Sequence, residues 1–411
     1  MRKRTDRLIA IGSLTAVAVV PTVLVLGPWG GDEKVGARGY TGPTPVADAG
    51  TGLPVPSPSP SASRTGGSPA KSPAADRVLP FPTLSSTPSS GSTPGSGGGG
   101  GGGTGSDGDS RRPADDGAKI TKVQWRGKRQ ADVTVKSPAL GTSHKVRVLV
   151  PKTWKSSANR TWPVVYAFHG GNDTYVSWTR STDIEQYAAA YDVIVVMPEG
   201  RNGSYTDWYN NGRGGIPKWE TFHMLEVRQL MERNFHAGSS RAAMGISSGA
   251  QGAVTYAARY PGMFRYAAAY SGVLSMLSPG IPALLLYINS GNGNGSPERI
   301  WGDPVRDRAN WVAHDPTSLA PRLRGTSVYV SSGNGKEGPL DKPGKAPWDI
   351  GYLSETQVER ASKDFVQRAR SVGVSVTTNF YGPGSHSWPY WQREMHRTWP
   401  TMMRAIGARK F

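Results

Sequence analysis

Nothing between about Gly30 and Asp116 can build a core. The stretch is dominated by Pro, Ser, Thr and Gly, runs into the glycine tract Gly97 to Gly103, and apart from Tyr40 and Phe81 has almost nothing large to bury. Such a segment cannot offset its ordering entropy, so 30–116 reads as a disordered tether, stiffer where Pro-rich and slack where Gly-rich. Folding is confined to 117–411, about 295 residues, enough for one domain with a substantial core.

Ahead of the tether, Leu8 to Leu26 form an almost unbroken apolar run behind Arg2, Lys3, Arg4 and Arg7. About twenty such residues span a bilayer as a helix, and the basic flank stays on the cytoplasmic side. The run is longer than the core of a signal peptide and no Ala-x-Ala site follows, so 1–29 reads as a retained signal anchor, with a cleaved signal peptide as the alternative. The expected location is the cell membrane with the globular part outside, or secretion if the segment is removed. The chain has no cysteine, hence no disulfides and no thiolate metal site. Its formal charge of +18 suits anionic envelope polymers or lipid headgroups, and equally simple solubility. No nucleic-acid recognition module accompanies it, so nucleic acid is not an expected partner.

Within the globular part, strand-like apolar runs alternate with helical stretches, the pattern of an α/β fold with a mostly parallel sheet covered on both faces. Strands are predicted at Lys145–Val150, Val164–Phe168, Val193–Met197, Arg241–Ile246, Tyr266–Tyr270, Ser327–Ser331 and Val374–Tyr381. Helices are predicted at Asp183–Tyr191, Trp219–Asn234, Ala250–Arg259 and about Glu355–Ser371.

Gly245-Ile246-Ser247-Ser248-Gly249 joins one such strand to a helix. A serine on that sharp turn projects its hydroxyl. In a chain this rich in glycine the pattern arises by chance roughly once, so its weight depends on the company it keeps. A serine hydroxyl needs an imidazole to take its proton, and the imidazole needs a carboxylate to orient it. In a doubly wound hydrolase the order along the chain is serine, acid, histidine, each after a strand. His386, in the loop after the last predicted strand, meets that requirement. His144, His169, His223 and His236 precede the serine, His314 precedes the strand expected to carry the acid, and His396 lies on the terminal helical stretch. Five carboxylates follow the strand Ser327–Ser331: Glu337, Asp341, Asp349, Glu355 and Glu359. Spacing favours Asp341 or Glu337. Two backbone N–H groups should hold the oxyanion, one from Ser248 and the other from Gly171, with Asn172 as runner-up, in the glycine loop after Phe168.

Several separated blocks carry a resemblance: Asp207-Trp208-Tyr209, Lys218-Trp219-Glu220-Thr221-Phe222, the serine motif, Tyr270-Ser271-Gly272, Trp301-Gly302, Ser332-Gly333-Asn334-Gly335 and His386-Ser387-Trp388-Pro389-Tyr390-Trp391. Their order resembles that of the secreted mycolyltransferase antigens and their esterase D-like relatives, over Lys122 to Arg404. The resemblance implies an α/β-hydrolase fold and a Ser-Glu-His triad, Ser247, Glu355 and His386, so it moves the acid to Glu355 and leaves Asp349 and Asp341 in reserve. It also implies Gly171 as the second oxyanion donor and sets Trp388 beside the acyl-acceptor site. Members that acylate trehalose carry an aspartate and an arginine where this chain has His169 and Asn172, the residues expected to face substrate here. The family's cysteine near Gly333 is Ser332. These departures put trehalose and mycolate chemistry in doubt.

The expected function is a serine esterase or acyltransferase without a cofactor or metal. It would act on an acyl-ester lipid or glycolipid, with water or a sugar or glycerol hydroxyl as acceptor. The alternative is a non-catalytic envelope or matrix binding protein on the same scaffold; a peptidase has no supporting specificity feature.

Overall fold

The computed structural model describes residues 111–344, 346 and 349–411. The apolar run Leu8–Leu26 and nearly all of the tether lie outside them, and among the described residues no helix is long and apolar enough to cross a membrane. Arg111 to Asp116, the end of the tether by composition, already packs on the domain: Ala114 is buried, and Asp115 N–H donates to Gln229 Oε1 at 2.8 Å.

The strands are β1 Lys119–Trp125, β2 Gln130–Ser137, β3 Thr142–Leu149, β4 Trp162–Phe168, β5 Ile194–Pro198, β6 Ala237–Ile246, β7 Tyr266–Tyr270, β8 Ser327–Ser332 and β9 Val376–Phe380. They form one sheet in the order β1-β2-β3-β5-β4-β6-β7-β8-β9. The sheet is mixed. β5, β4, β6, β7, β8 and β9 are parallel to their neighbours in that run, whereas β1, β2 and β3 pair antiparallel and join the rest through β3 and β5.

Both faces of β4, β5, β7 and β8 are almost entirely buried, which is why these strands read as continuous apolar runs. Val164, Tyr166 and Phe168 of β4 pack on one face, with the helices Ser248–Arg259 and Ile350–Ser371. Val165 and Ala167 pack on the other, with Met395, Trp399 and Met402 of the terminal helix Trp388–Ala405. The split is the period-two alternation of a pleated strand.

Register is what builds a site. Phe168 pairs with Gly245, Ile246 with Tyr270, Tyr270 with Ser331, and Ser332 with Phe380. The carboxyl ends of β4, β6, β7, β8 and β9 are therefore level, and the residues that follow them share one rim, where ligands of open α/β sheets bind.

The helical stretch that begins at Trp219 contains a π-turn, Phe222–Val227, before it continues as Arg228–Phe235. The extra residue turns His223 and Glu226 fully into the core. His223 bonds Tyr256 Oη through Nδ1 and the Glu199 carbonyl through Nε2, both at 2.9 Å. Burial drives its pKa down to about 3 from an ordinary 6.5. The sign follows directly: below pH 6.5 the unfolded chain takes up a proton that the folded ring refuses until about pH 3. His223 is thus expected to draw stability down as pH falls through that window, by up to about 1.4 kcal/mol per pH unit. Chemical denaturation at pH 7, 6 and 5 checks this, with a shallower slope expected for His223→Gln.

Candidate active site

Ser247 ends β6 and precedes the helix Ser248–Arg259 with φ 52° and ψ −122°, a conformation that side chains other than glycine rarely adopt. Its N–H donates to Tyr270 O at 3.0 Å, and its side chain is partly exposed at the rim. The two glycines of the motif are fixed by close approach. A Cβ on Gly245 would lie 2.2 Å from Gly249 O, and one on Gly249 would lie 2.4 Å from His169 O and 2.6 Å from Phe168 O. Strand end, turn and neighbouring loop are thus in backbone contact. Gly249→Ala is expected to push the 168–171 loop away, costing about 1–3 kcal/mol of stability as an overpacked core does. A denaturant midpoint beside a rate measurement reads both effects.

The carboxylate bonded to His386 is Glu355. Its Oε2 accepts from His386 Nδ1 at 2.7 Å, with Glu355 fully buried and His386 only 7% exposed. Its Oε1 accepts from Ser271 Oγ and from Gly333 N–H, both at 2.7 Å, and from Tyr381 Oη at 3.4 Å. Donors from the ends of β7, β8 and β9 thus converge on one carboxylate. Burial, then the charge of Glu355, holds the Tyr381 phenol far above its ordinary pKa, so it stays a donor. Trp391 completes the enclosure: its Nε1–H donates to Ser271 Oγ at 3.0 Å and its ring meets His386 edge-on at 5.0 Å. His386 N–H donates to Gly351 O at 2.9 Å, tying the histidine loop to the first turn of the acid's helix.

The carboxylates favoured by spacing do other work. Asp341 accepts from Ser385 Oγ, Tyr390 Oη and Gly338 N–H, which braces the histidine loop. Asp349 caps the helix Ile350–Ser371 by accepting from Gly351 N–H at 2.8 Å. Glu337 is exposed, and Glu359 pairs with Lys363 one turn on.

The loop after β4 is held tightly. A Cβ on Gly170 would meet Ser247 Cβ at 3.2 Å, so this loop lies against the serine turn. The expectation that His169 faces substrate needs correction: its ring is 1% exposed and turned inward. Nδ1 bonds Gly170 O at 2.7 Å, Nε2 accepts from Gly200 N–H at 2.8 Å, and Glu199 Oε1 lies 3.2 Å away. Burial works against the Glu199 charge, but the neighbouring His169 ring and the N–H groups of Arg201 and Tyr175 prevail and lower its pKa. The ring of His169 is a brace for the glycine loop.

Asn172 is exposed at φ 56°, and its N–H is taken by Asn202 Oδ1 at 2.7 Å. Among the described residues, the N–H groups of Gly171 and Ser248 have no hydrogen-bond acceptor. That distinguishes Gly171 from Asn172, the runner-up. Trp388 opens the terminal helix, half-buried, edge-on to Trp178 at 5.4 Å and to Trp391 at 5.3 Å. Among the described residues, no group of three or more His, Asp or Glu side chains is arranged to hold a metal ion.

Residues 137–402 match the Esterase family over this whole apparatus. The chain belongs to that family. Among relatives within it, Esterase Rv1288 of Mycobacterium tuberculosis (strain ATCC 25618 / H37Rv) is 30% identical over 256 residues, covering 60% of this chain and 53% of that protein. The chain thus spans about half the length of that relative. Diacylglycerol acyltransferase/mycolyltransferase Ag85B of Mycobacterium intracellulare is 31% identical over 283 residues, covering 66% of this chain and 82% of that protein. The structure of Mycobacterium tuberculosis MPT51 (FbpC1) superposes with a TM-score of 0.57 at 23% identity, over 68% of this chain and 100% of that one, and shares the fold. The resemblance carried by the Trp-containing blocks is thereby borne out, and the mixed sheet with its helices is the fold shared with that neighbour.

Proposed function

We propose that this protein is a serine-dependent enzyme of acyl-ester chemistry that works through an acyl-enzyme. The observation that carries this reading is the buried Glu355–His386 hydrogen bond of 2.7 Å on the rim that holds the strained Ser247 turn. Ser247 Oγ attacks the ester carbonyl carbon while its proton passes to His386 Nε2. Glu355, bonded to Nδ1, fixes the tautomer and stabilises the imidazolium. Gly171 and Ser248 N–H groups hold the tetrahedral oxygen. The bond to the leaving alcohol breaks, the alcohol takes the proton from His386, and the acyl group stays on Ser247. His386 then removes a proton from the acceptor, whose oxygen attacks the acyl carbon; the acyl–Oγ bond breaks and His386 returns the proton to Ser247 Oγ.

Water as acceptor gives an esterase; a sugar or glycerol hydroxyl gives an acyltransferase. Relatives named esterase and relatives named diacylglycerol acyltransferase/mycolyltransferase both occur, so both outcomes belong to the reading. The donor is an acyl-ester lipid or glycolipid, with the exposed Asn172 and the half-buried Trp388 as the side chains that would meet it. The apolar run Leu8–Leu26 and the Pro/Ser/Gly stretch support a reading in which the enzyme works in the cell envelope, tethered through the first segment or secreted if it is cleaved. A chain-length series of p-nitrophenyl esters, with and without trehalose or glycerol and with products resolved by mass, tests the proposal. Release of free acid or acyl-acceptor product above a Ser247→Ala control supports it. No turnover at any chain length overturns it in favour of a binding protein.

A further inference from the structure

Resting on the acyl-ester reading, we infer that Asn202 is a positioning residue that sets the geometry of the oxyanion loop by clamping Asn172 from across the rim. The two side chains pair reciprocally. Asn202 Oδ1 accepts from the backbone N–H of Asn172 at 2.7 Å, while Asn202 Nδ2 donates to Asn172 Oδ1 at 2.8 Å. A Cβ on Gly171 would touch Asn202 Oδ1 at 3.4 Å, so the amide lies against the residue whose N–H is offered to substrate. Asn202 is itself anchored, its carbonyl accepting from Asn294 Nδ2 at 2.9 Å, and Asn172 Nδ2 reaches Asn292 Oδ1 at 3.3 Å. Loops that follow β4, β5 and the helix Ile281–Gly291 are thus joined through amides at the mouth of the site.

The clamp solves a specific problem. Asn172 sits at φ 56°, a left-handed backbone that asparagine tolerates better than most residues but does not prefer. Without a partner for its N–H, the peptide between Gly171 and Asn172 is free to rotate, and two adjacent glycines before it supply no resistance. His169 fixes the loop on one side by bonding Gly170 O. Asn202 fixes the other side. Between these two bonds lies the Gly171 N–H, and a donor that must meet a developing charge acts only if it is held in place beforehand.

Two variants separate positioning from packing. Asn202→Ala removes both bonds. Asn202→Asp keeps shape and the acceptor for Asn172 N–H, loses the donor, and sets a negative charge beside the developing oxyanion. The expected result is a kcat lower by about tenfold for Ala, with a larger loss for Asp and KM within about twofold for both; removing a direct oxyanion donor costs about 10²–10³. Inhibition by a trifluoromethyl ketone, which mimics the tetrahedral state, should weaken in parallel with kcat. A packing role predicts the reverse order, with the isosteric Asp variant better than Ala. That order, or a ketone affinity unchanged in both variants, overturns the clamp. If the wild-type chain neither turns over p-nitrophenyl butyrate nor binds the ketone, the acyl-ester reading fails and the clamp with it. An active wild type with insensitive Asn202 variants removes the clamp alone.

Discussion

Ser247→Ala is expected to lower ester turnover by about 10⁴-fold or more, leaving thermal stability within a few degrees. The residual rate comes from the two backbone donors and from binding, since loss of the nucleophile leaves Gly171 and Ser248 in place. The variant removes one oxygen from a partly exposed side chain and keeps its Cβ, so little packing is lost. The backbone conformation is less forgiving: at φ 52° and ψ −122° alanine fares no better than serine, so the strain is shared by both proteins. Initial rates on p-nitrophenyl butyrate, with a melting curve as control, check both parts. A variant retaining a tenth of the activity would remove Ser247 from the chemistry.

Glu355→Gln is the second large effect. The amide keeps volume and still accepts, but it cannot stabilise a positive charge on His386, and its amide nitrogen can turn toward Nδ1 and select the wrong tautomer. The expected loss in kcat is about 10⁴-fold, as in other triads whose acid is amidated. The four donors around the carboxylate, from His386, Ser271, Gly333 and Tyr381, leave an amide N–H facing donors in either orientation, so some loss of stability accompanies the variant. The control is Glu359→Gln, one turn along the same helix and paired with Lys363, which should keep kcat within about twofold. A Glu355→Gln enzyme as fast as that control would contradict the assignment. In that case Asp341→Asn, which also loosens the brace on Ser385, becomes the variant to measure.

Much of this arrangement is legible in the sequence because burial on both sides makes β4 to β8 read as continuous apolar runs, and the serine turn is bounded by glycines with a steric reason to be there. The amino-terminal hairpin is not. β1 and β2 carry Lys119, Lys122, Asp132 and Lys136 among their apolar residues, and that half-polar alternation marks an antiparallel edge rather than a core strand. The acid shows where spacing fails. Asp341 and Glu337 lie nearest the end of β8 along the chain, but Asp341 is turned to Ser385 and Tyr390, Glu337 is exposed, and the carboxylate that reaches His386 lies on the helix that Asp349 caps. Order along the sequence is a poor guide across the loop between β8 and that helix, whereas the family resemblance points to Glu355, the carboxylate bonded to His386. His169 departs from its expected role for a related reason. A histidine before two glycines signals a loop near substrate but says nothing of which way the ring turns, and Gly200 and Glu199, which turn it inward, come from a different strand end. Asn202 carries no signal at all, since its bonds cross thirty positions of sequence.

The central claim is that one hydroxyl, at position 247, is made nucleophilic by the His386–Glu355 pair. A fluorophosphonate probe reacts with such a hydroxyl and stays on it, so the most direct measurement is the mass of the labelled protein and the peptide that carries the adduct. The account predicts a single adduct, on the peptide containing Ser247, absent from Ser247→Ala and formed far more slowly in His386→Ala. An adduct on any other residue, or equal labelling of wild type and Ser247→Ala, would contradict it.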